Sequence, residues 1–206
     1  MKNNIQTPWT SLSATVVAVT KTFPFEAVAT AHAMGLKNIG ENRVEEAGDK
    51  IAEAKKHGYT DVVWHMIGHV QSRKVKEVVE LFDWVDSVDS IELLKKLDNA
   101  AGVFNKKLHV LLEVNVSGEQ SKYGFQQIPK DLNFPNLIIE GLMTMAPYVK
   151  NPQENRKIFR ALKQLSETVS SIGKELSMGT SCDYLVAIEE GATQVRLGAA
   201  LFGPRR

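Results

Sequence analysis

The chain has 206 residues, 43% hydrophobic and 24% charged, and its 25 lysines and arginines against 24 aspartates and glutamates leave a formal net charge of +1. That composition is globular, sized for one large domain or two small ones, and excludes a disordered or collagen-like chain. Near-neutrality gives no bulk attraction to nucleic acid or anionic membrane, no apolar run approaches the roughly 20 residues that span a bilayer, and the single cysteine, Cys182, excludes an internal disulfide or a multi-cysteine metal site. Residues 1–13 are polar and lack the apolar core of a secretory signal, so the expected location is cytoplasmic.

Short apolar segments recur along the whole chain, at 15–19, 38–40, 62–66, 84–88, 108–114, 137–142, 174–178 and 194–197. Val16-Val17-Ala18-Val19 and Val110-Leu111-Leu112 are unbroken apolar runs, which suit strands covered on both faces. Helical spacing fills the intervals. It is read at 25–34 before Gly35, at 43–57 before Gly58, at 74–81, and at 90–101 with Ser90 as N-cap. The longest pattern covers 152–172, and Asp183 is placed to cap a helix through Glu190. Eight strands alternating with helices predict an α/β fold, a single (β/α)8 barrel of TIM type over 1–206, with 1–14 as a short N-terminal segment. An open doubly wound sheet is the competing architecture, but no G-x-G-x-x-G follows any strand.

In such a barrel the working residues stand at the C-terminal ends of the strands. Lys21 ends the first of them. An amine partly withdrawn from water there is suited to forming a Schiff base with an aldehyde; the plainer reading is a lysine whose head reaches solvent. Arg196 lies inside the last segment and needs a fixed acceptor, either a carboxylate such as Glu189 or Glu190 or a ligand. The small residues Gly198-Ala199-Ala200 let backbone N–H groups approach an anion, and Ser177 to Ser181 offer hydroxyls beside them. In a closed barrel the first and eighth strands are neighbours, so a lysine, an arginine and a phosphate cradle share one rim. His65 and His69 fall at a strand end rather than along a helix, which makes their spacing a poor zinc signal and His65 a hydrogen-bonded core or rim residue. Trp64 and Trp84 read as core. The loop 115–124, with Lys122, is either a solvated loop or a place to meet an anion, and Arg205-Arg206 reads as a solvated tail.

Several blocks together resemble the pyridoxal phosphate homeostasis family. They are Ala18-Val-Thr-Lys21, Ile39-Gly-Glu-Asn-Arg43, Trp64-His-Met-Ile-Gly-His69 with Gln71-Ser-Arg-Lys74, Ser87-Val-Asp89, Gly141 to Pro147, Leu176-Ser-Met-Gly179 and Val195 to Gly203. The resemblance implies the barrel of the alanine racemase N-terminal domain and pyridoxal 5′-phosphate (PLP) as cofactor. It implies a role in intracellular PLP homeostasis without established catalytic turnover, hence not an enzyme; the alternatives are a weak PLP-dependent amino-acid racemase and a barrel holding another phosphorylated metabolite. Carried over by motif, Lys21 is the Schiff-base lysine and Arg196 faces the pyridine nitrogen. Ser181, with Ser177 as second candidate, meets the phosphate together with the N–H groups of Gly198 and Ala199. Asn42 borders the cofactor, and Met145 packs where racemases place a histidine. Two features depart from the family pattern: Ala199 stands where relatives often carry threonine, and the segment before Thr15 is shorter than their N-terminal helix, leaving open how the barrel is covered near its first and last strands. Opposite an arginine the ring nitrogen stays unprotonated and is a weaker electron sink, and no second domain supplies a base to the other ring face, which argues against racemase turnover. The expected partners are PLP and PLP-accepting apoenzymes, with no nucleic acid or membrane, and the expected state is a monomer, since the usual racemase dimer contact is missing.

Overall fold

Each apolar segment is a strand in the computed structural model, which describes residues 9–116 and 123–204. β1 (Thr15–Val19), β2 (Asn38–Glu41), β3 (Val63–Met66), β4 (Trp84–Val88), β5 (Leu108–Glu113), β6 (Leu137–Met143), β7 (Glu175–Thr180) and β8 (Gln194–Leu197) pair in chain order, and β8 closes on β1. All eight pairings are parallel. The helices α1 (Glu26–Ala33), α2 (Val44–Lys56), α3 (Val75–Leu81), α4 (Ile91–Val103), α5 (Arg156–Thr168), α6 (Tyr184–Glu189) and α7 (Ala199–Phe202) follow the strands; among the described residues none lies between β5 and β6. This is the (β/α)8 barrel expected, and the open-sheet alternative falls with β8 paired to β1. Residues 1–8, Lys122 and Arg205-Arg206 lie outside the described residues.

Burial along β8 explains how a polar site forms in an apolar barrel. All four of its residues are buried, yet they alternate in chemistry. Val195 and Leu197 join the apolar cluster that also holds Ala18, Ile39, Ala47, Leu97 and Leu162, between the strands and their helices. Gln194 and Arg196 face the other way. Gln194 Nε2 approaches His65 Nδ1 at 3.5 Å across the barrel, since β3 is not a neighbour of β8. His65 is buried among polar partners, with Nδ1 3.1 Å from Asp86 and Nε2 3.0 Å from Asn38, and stacks on Trp84 at 5.2 Å. Trp64 is buried as expected, whereas Trp84 is half-buried and sandwiched between His65 and His109.

The pairing of β5 with β6 slips by one residue, from Val110↔Ile139 to Leu111↔Gly141, leaving Glu140 as a bulge. Gly141 has φ 157°, and a Cβ there would lie 2.0 Å from the Glu175 carbonyl oxygen, so only glycine lets β6 lie this close to β7. Two expectations are corrected. The longest helical pattern resolves into a single 3-10 turn (Pro152–Asn155), capped by Asn151, followed by α5, which ends at Thr168; Ile172 is buried from beyond the helix. Asp183 stands at the N-cap position of α6, but its side chain makes no capping bond: the carboxylate accepts instead from the N–H of Thr180 at 2.7 Å and from Asn155 Nδ2 at 2.8 Å, tying the end of β7 to the 3-10 turn. Ser90 does cap α4, accepting from the Leu93 N–H at 3.3 Å.

Candidate functional site

Arg196 reaches from β8 across the C-terminal mouth of the barrel. Nη1 donates to the Ser177 carbonyl at 3.0 Å and to Ser177 Oγ at 2.6 Å; Nη2 donates to the Thr144 carbonyl at 2.9 Å and contacts Met145 Sδ at 3.1 Å. The carboxylate partners weighed from the sequence are used elsewhere: Glu189 pairs with Arg156, and Glu190 with Arg156 and Arg160. Burial pulls the Arg196 pKa down while Asp86, Glu113 and Asp183 act in the opposite sense; starting so far above neutral, the guanidinium stays charged. One of its four terminal N–H groups therefore meets only a thioether, a weak acceptor. Met145, which supplies that sulfur from just past β6, is 45% exposed and stands at the mouth.

A second set of donors lies next to it. The Gly198 and Ala200 N–H groups both converge on Ser181 Oγ, each at 3.1 Å. Two backbone donors aimed at one oxygen make a small anion-binding concavity, with the serine hydroxyl now filling it. The structure brings Ser181 and Gly198 together as the sequence reading grouped them and adds Ala200, which that reading used only as a small residue. It does not bring Ser177 there; the Ser177 hydroxyl is fully buried on Arg196. The Ala199 side is exposed.

Gly198 abuts β1: a Cβ on it would lie 3.3 Å from the Val19 carbonyl. Lys21, half-buried, follows Val19 by two residues, so the lysine and the donor set share the seam between β8 and β1. Thr20 before it is fully buried; its hydroxyl donates to Glu41 Oε1 at 2.5 Å and its carbonyl accepts from Lys50 Nζ at 2.7 Å. Glu41 falls in the Ile39–Arg43 block at the end of β2 but was given no role from sequence, and Lys50 was not singled out, although a lysine among Ala47, Ile51 and Ala54 on the inward face of α2 was a visible signal. Asn42 follows β2, and its Oδ1 is buried with no hydrogen-bond partner among the described residues. His69 is set apart from His65, with its own carboxylate, Asp89, at 3.1 Å.

Glu113, at the end of β5, carries the charge nearest to a testable pH effect. Burial pushes its carboxyl up, Arg196 pulls it down, Asp89 pushes it up and His69 pulls it down, with a net rise. A carboxyl with a raised folded-state pKa binds its proton more tightly when folded, so its contribution is complete below the unfolded pKa and lost as pH climbs through the folded one. Glu113→Gln is expected to flatten the loss of stability above the ordinary carboxylate range. Denaturant unfolding at a series of pH values checks this, and curves that stay parallel to the parent's contradict it.

A parallel eight-stranded barrel with a lysine after its first strand and backbone anion donors after its last is of the alanine racemase N-terminal class, and the family model of that description matches residues 1–206. Alanine racemase of Clostridium difficile has the same fold at 15% identity, with a TM-score of 0.73 over 94% of this chain and 56% of that one. Closer likeness is found elsewhere. The pyridoxal phosphate homeostasis protein of Vibrio alginolyticus is 38% identical over 204 residues, 94% of this chain and 87% of that protein. Its counterpart in Pseudomonas aeruginosa is 40% identical over 198 residues, covering 92% and 84%. PipY of Synechococcus elongatus, solved with PLP bound, superposes with a TM-score of 0.83 at 35% identity over 93% of both chains. The chain belongs to the pyridoxal phosphate homeostasis protein family.

Proposed function

We propose that this protein binds PLP and serves PLP homeostasis, holding the cofactor as an imine on Lys21 without catalysing a turnover. The observation that carries the reading is the shared seam: Lys21 beyond β1, and Arg196, Gly198, Ala200 and Ser181 on and around β8. The donor set fits the group. The concavity at Ser181 suits a phosphate oxygen, and the Arg196 N–H that meets only the Met145 sulfur has an acceptor to gain in an unprotonated ring nitrogen. Bound there, PLP supplies an aldehyde. Lys21 would supply the neutral amine for that aldehyde, its two N–H protons and the carbonyl oxygen departing as water. Asn42 and Met145 border the ring, and Ala199 contributes its N–H to the phosphate.

The homologues are named for homeostasis rather than for a reaction. Among the described residues no helix is long and apolar enough to cross a membrane. The reading extends to a cytoplasmic monomer that releases PLP to apoenzymes. The test is direct. Protein freed of cofactor and mixed with equimolar PLP is expected to turn yellow, and borohydride is expected to abolish the imine band and fix one adduct per chain on the peptide containing Lys21. Phosphate-dependent stabilisation without any reducible adduct would instead mark a non-covalent phosphometabolite barrel.

A further inference from the structure

Lys50 is a lysine in the wrong place for stability. It lies on the inward face of α2, 5% exposed, between the apolar residues Ala47, Ile51 and Ala54. Burying an ammonium costs several kcal/mol before its partners offset any of it, and a methionine of similar length fills such a position without that cost. Its three N–H donors are fully used: on the Thr20 carbonyl at 2.7 Å, on Glu41 Oε1 at 2.7 Å and on Glu46 Oε1 at 2.8 Å. The first acceptor is itself next to Lys21, and the two carboxylates also grip the chain around it. Glu41 Oε1 takes the Thr20 hydroxyl at 2.5 Å, and Glu46 Oε1 takes the Thr22 N–H at 2.5 Å. Thr22 is held at φ +64°, a left-handed conformation that a β-branched residue rarely adopts and that persists only where its surroundings enforce it.

We propose that Lys50, with Glu41 and Glu46, is the positioning set for Lys21: it fixes the residues on both sides of that lysine and so aims its amine into the barrel mouth, without itself touching the cofactor. The inference rests on the reading of Lys21 as the aldehyde-binding residue. The residues are 20 to 30 positions apart along the chain from Lys21 and meet because β2, which ends in Glu41, pairs with β1 and α2 brings Glu46 and Lys50 to the β1 exit.

Two measurements on the full chain test it. In the cofactor-free protein, Lys50→Met is expected to speed amide hydrogen exchange at Thr22 by about tenfold or more while the barrel strands keep their protection, because the opening is local. In the presence of PLP the same variant is expected to form the borohydride-trapped Lys21 adduct about 10- to 100-fold more slowly, the scale of a misplaced reacting group. Lys50→Arg, which retains several donors, is expected to restore a large part of that rate; a purely structural role would move the unfolding temperature without this recovery. Should Lys50→Met fail to fold, Glu46→Ala removes the Thr22 acceptor from a partly exposed position and is expected to act in the same direction. Parental trapping rates in a folded Lys50→Met or Glu46→Ala protein overturn the inference, as does unchanged exchange at Thr22. A parent protein that forms no adduct on Lys21 defeats the functional reading instead, and the exchange measurement still decides whether the clamp exists.

Discussion

Lys21→Ala is expected to abolish the borohydride-reducible PLP adduct completely while leaving a folded barrel. The half-buried lysine lies past the last residue of β1, outside the β1–β2 and β1–β8 ladders that hold the strand. The Thr20 and Thr22 anchors do not use its side chain, so they survive truncation and the barrel is expected to stay folded, which thermal unfolding checks. The Arg196 and Ser181 donors remain, and weak phosphate-dependent binding is expected to survive. Affinity for PLP is expected to fall by about 100-fold or more, because the covalent bond is what converts a loosely held ligand into an intramolecular one. Lys21→Arg sharpens the result. An arginine keeps the positive charge but never supplies a neutral amine, so it is expected to lose the adduct as fully as alanine does. Absorption spectra, stoichiometry by mass and peptide mapping read the outcome. A single full-occupancy adduct remaining in Lys21→Ala would assign the chemistry to a different lysine.

The barrel was legible because its signals are local. The runs 16–19 and 110–112 are apolar over their own length, and Gly35, Gly58 and Ser90 mark helix ends within a few residues. Where the local signal failed, side chains were recruited across the fold. Asp183 has the sequence of a helix cap, but the backbone N–H of Thr180 and the amide of Asn155 claim its carboxylate. Ile172 keeps the apolar spacing of α5, yet Ser170, Ser171 and Gly173 around it favour leaving the helix, and it is buried from the connection. The same division holds at the site. Lys21, Arg196, Ser181 and Gly198 sit at strand ends and could be placed by counting strands. The partners of Arg196 could not: Ser177 and Thr144 lie 19 and 52 residues away, and the nearer glutamates are occupied by Arg156 and Arg160. The roles of Glu41 and Lys50 were not legible for a related reason: a lysine on an inward face shows as an anomaly in the sequence, but its acceptors, on β1, β2 and α2, do not.

Arg196→Leu is expected to destabilise the barrel by about 3–5 kcal/mol, the range for removing one partner from a buried charged network. The Thr144 carbonyl and the Ser177 hydroxyl lose the donor that Arg196 gives them, and the Ser177 carbonyl is left with only the Thr144 N–H at 3.1 Å. Ser177 is fully buried and Thr144 nearly so, and water has no ready access to replace the guanidinium. The carboxylates of Asp86, Glu113 and Asp183 also lose their nearby cation. The pH dependence follows in sign. Burial already raises the Glu113 pKa, and Arg196 is the leading influence that holds it down. Without Arg196 that pKa rises further, the folded state binds the proton more tightly, and stability falls more steeply as pH climbs. The deficit of Arg196→Leu against the parent is therefore expected to be smallest in mild acid and to widen toward neutral and alkaline pH. Arg196→Lys restores the charge but replaces the planar fork with a single ammonium head, so it is expected to recover the pH slope better than the absolute stability. Denaturant unfolding of the three proteins across that range separates the two contributions. A loss below about 1 kcal/mol in Arg196→Leu would mean that the guanidinium is dispensable to the fold and held there for the ligand alone.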